Sequence, residues 1–171
     1  MDKTKKILSV KVKRMMDDDP DTSWMGEYTN DPGEWNIDRR SGKYICEMDD
    51  DERIPERGRE YRFFKPAAGD EKPGTEEYKS YGLQDFKRME SLCHGNVWFV
   101  GVRAEARVQL AGDLVQTITS GGIWGIESDS GPEYFKEVED EQLSELRDEL
   151  RAIGFTDAKI KKAFDDREED D

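Results

Sequence analysis

The sequence predicts an α+β fold, an antiparallel sheet packed against two main helices with a short C-terminal helix behind them. Three observations carry that expectation. Residues 96–130, NVWFVGVRAEARVQLAGDLVQTITSGGIWGIESDS, are the longest part of the chain dominated by β-branched, aromatic and aliphatic residues, and Gly-containing steps cut them into strand-length pieces. Residues 75–93 and 132–153 repeat apolar side chains every three or four positions, the spacing of a helix with one buried face. Shorter alternating runs elsewhere supply the remaining strands.

Residues 7–15 alternate Ile7, Ser9, Lys11 and Lys13 against Leu8, Val10, Val12 and Arg14, which predicts a strand with one wet face. Its lysines can protect a sheet edge or pair with acidic residues elsewhere. Asp17, Asp18, Asp19, Pro20 and Asp21 end it, since proline donates nothing to a ladder. The pieces 24–28 and 35–38, separated by Asn30, Asp31, Pro32 and Gly33, read as a hairpin. Residues 41–74 are polar, with an acidic run over 49–52, arginines at 53, 57, 59 and 62, and a short strand at 61–64. Thr75, followed by Glu76 and Glu77, caps a helix bearing Tyr78, Tyr81, Asp85, Phe86, Met89 and Leu92. Gly82 interrupts it at a cost of about 1 kcal/mol relative to Ala, and Gly95 ends it.

In the central stretch Trp98, Val100, Val102, Ala104, Ala106, Val108 and Leu110 share one face, and Arg103, Glu105, Arg107 and Gln109 mark the other as wet. Ala111, Gly112 and Asp113 reverse the chain, residues 114–119 return, and Ser120, Gly121 and Gly122 turn it again before Ile123, Trp124, Gly125 and Ile126. A three-stranded meander is the expectation. Ser130, Gly131 and Pro132 then open a helix whose apolar stripe is Phe135, Val138, Leu143, Leu146, Leu150 and Ile153, with Gly154 as its stop. Thr156 caps a last helix burying Ile160, Ala163 and Phe164. Residues 1–164 are read as one domain, and 165–171, with six acids and one base, as an acidic tail.

The 171 residues are only 34% hydrophobic, yet four Trp, seven Phe and six Tyr argue for a folded core. A net charge of −14 sets the chain against direct nucleic-acid binding and against anionic membranes, and in favour of basic partners. Two cysteines, Cys46 and Cys93, with no leader ahead of the first strand, predict a reduced cytoplasmic protein rather than a disulfide scaffold. No apolar run approaches the roughly 20 residues a membrane helix needs.

Several chemistries are disfavoured by pattern. The acidic runs at 17–21 and 49–52 lack the loop glycine and closing glutamate of a calcium-binding loop, and two cysteines with one histidine make a closed zinc site improbable, so neither metal nor cofactor is expected. Cys93 and His94 are neighbours whose side chains diverge on a helix, unsuited to a nucleophile and its base. Ser120, Gly121 and Gly122 lack the lysine and helix of a phosphate loop. The arginines of 53–62 with Tyr61, Phe63 and Phe64 are read as paired with neighbouring acids.

What remains is charge. From Glu127 onward 17 acids face 7 bases, and Glu137, Glu141, Glu145, Asp148 and Glu149 recur at three- and four-residue spacing, on one helix face. The functional reading is a non-enzymatic protein whose acidic face occupies a basic, nucleic-acid-binding partner in place of DNA or RNA; the plainer alternative is a solvated helix face. A different class, a small-ligand protein or accessory enzyme, would use Thr117, Thr119, Glu127 and Asp129 near strand ends, where Asp129 and Ser130 also suit turn and cap roles. A third class is an assembly component with Trp24, Trp35 or Trp124 as interface anchors, against the expectation that tryptophans fill the core.

The stretch QTITSGGIWGIESDSGPEY at 116–134, the Leu143, Leu146, Leu150 stripe with its Ile153, Gly154, Phe155 ending, and the opening DPDTSWMGEY at 19–28 resemble a group of small acidic proteins of unknown function from phages, plasmids and other mobile elements. The resemblance covers about a third of the chain. It brings no catalytic motif and implies context only, that of host-defence inhibitors and accessory proteins.

Overall fold

In the computed structural model, residues 5–48 and 61–167 are described, and they form an α+β fold of antiparallel sheets and three helices. The acidic run at 49–52, the arginines at 53, 57 and 59, and the last four residues of the acidic tail lie outside them. The chain's residues gather in two compact units, one joining the chain up to Pro20 with the chain from Trp98 onward, the other spanning Asp21–Val97.

The first unit is built on β5 (Phe99–Gln109), which pairs antiparallel with β1 (Lys6–Met16) along one edge. Val100, Val102, Ala104, Ala106 and Val108 of β5 are all buried on the face that meets α2 (Pro132–Ala152) and α3 (Asp157–Asp165). Phe135, Val138, Leu143, Leu146 and Leu150 of α2 and Ile160 and Phe164 of α3 complete that core. Pro132 stands in the first turn of α2 behind Gly131, and neither Ser130 nor Thr156 supplies the side-chain cap expected of it. A β-bulge between Ile7 and Ser9 corrects the phase of β1. The extra residue moves Ile7 onto the core face and leaves Leu8, expected there with Val10 and Val12, half exposed.

The expected meander does not form. β6 (Val115–Thr119) pairs with Glu105 to Gln109, while β7 (Ile123–Glu127) pairs with Phe99 to Val102, so both line the same edge of β5 in tandem. Residues 120–122 are a break in one edge, not a second reversal. Ser120 keeps that break on the ladder: its N–H donates to Ala104 O at 3.0 Å, and its Oγ accepts from Ala104 N at 2.9 Å. The N–H groups of Gly121 and Gly122 leave the ladder and donate to side chains of α2 instead.

The second unit has a three-stranded sheet in the order β2 (Gly26–Thr29), β4 (Phe63–Pro66), β3 (Ile37–Asp38), together with α1 (Glu76–Cys93). The predicted hairpin of 24–28 with 35–38 is therefore replaced: β4, carrying buried Phe63 and Phe64, inserts between the two pieces and bonds to both. Thr75 caps α1 as expected, its Oγ1 accepting from Tyr78 N at 3.2 Å. Tyr44 is fully buried between the rings of Trp35 and Tyr78. Gly82 is a packing requirement as well as an interruption, since a Cβ there would run into the Tyr44 hydroxyl and stand 3.0 Å from Pro66.

Candidate partner-binding face

α2 has a continuous buried arc because its apolar residues recur at helical spacing, and the opposite arc is left to charge. At 100° per residue, Glu133, Glu137, Asp148 and Glu141 fall within about 80° of arc, with Glu145 and Glu149 following toward one flank. All six are exposed. Their surroundings divide them. Asp148 accepts from Arg151 at 2.6 Å, and Arg151 also reaches Asp157 at 2.7 Å. Glu145 Oε1 accepts the Gly121 N–H at 2.9 Å, and its neighbour Gln142, buried in the packing layer, accepts the Gly122 N–H at 2.9 Å. Glu139 and Asp140 are held by Arg14 and Lys136. Among the described residues Glu137, Glu141 and Glu149 have no ion-pair partner, so of the five expected contact residues three carry free charge and two also serve the fold.

Thr117, Thr119, Glu127 and Asp129 are not drawn into one place. Thr117 and Thr119 stand opposite Arg107 and Glu105, whereas Glu127 stands opposite Phe99, the length of six strand residues from Thr119, or about 20 Å. Asp129 follows in the turn where Ser130 N–H donates to Glu127 O at 2.9 Å. Among the described residues no three His, Cys, Asp or Glu side chains converge as a metal site, and no helix is long and apolar enough to cross a membrane.

A polar cluster in the second unit went unread in the sequence, because its members lie 62 and 51 positions apart. Glu90 Oε1 accepts from the Tyr28 hydroxyl and from Arg39 Nε, both at 2.7 Å, and the Arg39 guanidinium lies 4.1 Å over the Tyr28 ring. Burial pushes the Glu90 carboxyl up, but the hydrogen bonds from Arg39 and Tyr28 outweigh it and hold the group below the usual carboxylate range. Burial first, then the Glu90 carboxylate, raises the Tyr28 phenol. Arg39 also reaches Cys93 Sγ at 3.7 Å, while His94 Nδ1 turns back to Glu90 O at 2.7 Å, so the cysteine and histidine do not form a pair. Every group has its partner within the cluster, which makes it a brace between strand, loop and helix.

Comparisons with protein-family models, curated proteins and solved structures return no match to this chain.

Proposed function

We infer that this is a non-enzymatic acidic binding protein whose α2 face occupies a basic, nucleic-acid-handling partner, as an inhibitor of the DNA-mimic or anti-defence kind. The observation that supports the reading is the set of exposed carboxylates without internal partners, Glu137 and Glu141 on the outer arc of α2 and Glu149 at its flank, about 120° round from Glu137. A helix face that existed only for solubility would gain from interspersed lysines at these positions, each worth a few tenths of a kcal/mol. Here the free positions are uniformly acidic and repel one another. With Glu145 and Asp148 they place five carboxylates along about 18 Å of helix axis, roughly one per 4 Å, against one phosphate per 3.4 Å along a DNA strand. Asp148 is held by Arg151, so the other four give phosphate-binding lysines and arginines a sparser line of charge than a DNA strand, of the same sign. The likeness of residues 116–134 to small acidic proteins of mobile elements supports the same context, and cytoplasmic residence belongs to the same reading.

The test is capture of partners from the host lysate on immobilised protein at low and high salt. A nucleic-acid-binding protein retained at low salt, released at high salt and lost with the Glu137→Lys, Glu141→Lys, Glu149→Lys triple variant is the expected result. Equal retention by the triple variant refutes the assignment.

A further inference from the structure

The first unit carries a second charged face of opposite sign, on the side of the sheet away from α2 and α3. The register sets its members. Lys6, Lys11 and Lys13 of β1 stand opposite Gln109, Glu105 and Arg103, and Arg107 lies between Ser9 and Thr117. Lys6, Lys11, Lys13, Arg103 and Arg107 are five cations with Glu105 alone among them; Glu127 and Asp17 stand at the Phe99 end and Asp113, bonded by Gln109, at the other, in a chain whose net charge is −14. Glu105 is shared, accepting from Lys13 at 2.6 Å and Arg103 at 2.7 Å, while Lys6, Lys11 and Arg107 are exposed with no carboxylate partner among the described residues. Arg103 Nε is buried without a hydrogen-bond partner.

Beside these cations lies an aromatic plate. β7 bulges so that Trp124 covers Gly101, where a Cβ would stand 2.7 Å from the indole Cδ2, and the indole remains 47% exposed. The expectation that tryptophans fill the core fails here as it does for Trp24 and Trp98, both about half exposed. Gly101 lets the ring rest on the sheet backbone, two residues along β5 from Arg103 and opposite Met15 of β1. From Gly101 to Arg107 the face runs about 20 Å, the reach of roughly 4 nucleotides, and Thr117 and Thr119 add exposed hydroxyls along it.

We propose that this outer sheet face binds single-stranded nucleic acid, with a base stacked on Trp124 and the backbone phosphates along Lys13, Arg103, Lys11 and Arg107. Stacking tolerates any base, and the cations supply the salt-dependent attraction. An acidic peptide would satisfy the cations but gives the flat indole nothing to stack with. The acidity of the whole chain does not prevent the interaction: α2, about 10 Å across, stands between the sheet and the far-side carboxylates, more than the ~8 Å Debye length at physiological salt. Asp17, whose Oδ2 accepts the Gly125 N–H at 3.0 Å, closes the Trp124 end, so the strand extends from the indole toward Arg107.

Fluorescence anisotropy of labelled oligothymidylate and oligouridylate, about a dozen nucleotides long, tests this from about 25 to 200 mM salt. The expected result is binding whose logarithmic salt slope is about −3, for four phosphates at −0.7 each. Lys11→Glu with Arg107→Glu should weaken binding at least tenfold and reduce the slope by about 1.4, and Trp124→Ala should weaken it about tenfold with the slope unchanged. Circular dichroism checks that both variants fold. The proposal is overturned by no binding at the lowest salt, by unchanged affinity in either folded variant, or by an oligoglutamate that competes as well as unlabelled oligothymidylate, which would give the face to acidic peptides. None of these readouts depends on the α2 face.

Discussion

At the scale of single residues, two glycines are fixed by what lies on them. Gly101→Ala would push a methyl group into the Trp124 ring and Gly82→Ala one into the Tyr44 hydroxyl, both at backbone already packed. Each should cost about 1–3 kcal/mol by overpacking, read as a lower urea midpoint with unchanged slope. Glu105 provides the corresponding electrostatic case. The hydrogen bond from Lys13 lowers its carboxyl, burial opposes, and the hydrogen bond from Arg103 adds to the lowering. Because the folded form is the better acid, its contribution is present above the unfolded glutamate value of about 4.3 and is lost as pH falls through the lowered folded value. Glu105→Gln should therefore be less stable than the parent at pH 7, the difference shrinking as the pH drops below about 4. A difference independent of pH would remove Glu105 from the account. Of these residues only Gly82 stands out in the sequence, as a glycine that weakens a helix by about 1 kcal/mol relative to Ala; the Tyr44 hydroxyl that opposes an alanine there belongs to a distant segment and is not legible from it.

At the scale of elements, local period was a good guide wherever one element decided its own pattern. α1 begins at Thr75 and α2 buries the expected Phe135, Val138, Leu143, Leu146 and Leu150, because helical spacing is a property of the segment alone. Pairing is not. The hairpin and the meander both failed, since neighbours in sequence need not be neighbours in a sheet, and β4 and β5 outcompeted the closer partners. At residues 120–122 the glycines suggest a turn, whereas the N–H groups of Gly122 and Gly121 are satisfied by Gln142 and Glu145, 20 and 24 positions later. The two acceptors differ in burial, which separates their effects. Gln142→Ala leaves the part-buried Gly122 N–H unpaired and should cost about 1–3 kcal/mol, while the exposed Glu145→Gln keeps an acceptor and should cost under about 0.5 kcal/mol, both measured by chemical denaturation. The five acidic residues expected as contacts are exposed on α2, but the commitment of Glu145 and Asp148 to internal partners is not legible from spacing.

At the scale of the whole molecule, the excess of acid is concentrated rather than spread, and one sheet layer divides the first unit into an acidic helix side and a basic strand side. Counting charge along the chain finds the first and hides the second, because Lys11 and Lys13 stand about 90 positions from Arg103 and Arg107 and meet them only through the β1 and β5 register. The self-repulsion has a measurable cost. Raising salt from about 10 to 200 mM should raise the thermal midpoint by about 2–4 °C, the equivalent of ~1 kcal/mol, and neutralising Glu137 and Glu141 to glutamine should reproduce part of the gain at low salt. A midpoint insensitive to salt would mean that the acids are already compensated.

On the proposed function, the α2 carboxylates stand in for phosphates. The most direct measurement is competition: the captured nucleic-acid-binding partner, loaded with labelled duplex DNA, is titrated with this protein while the bound fraction of DNA is followed. The account predicts stoichiometric displacement of the DNA by the parent chain and none by the Glu137→Lys, Glu141→Lys, Glu149→Lys variant. A ternary complex in which partner, DNA and this protein coexist would contradict it.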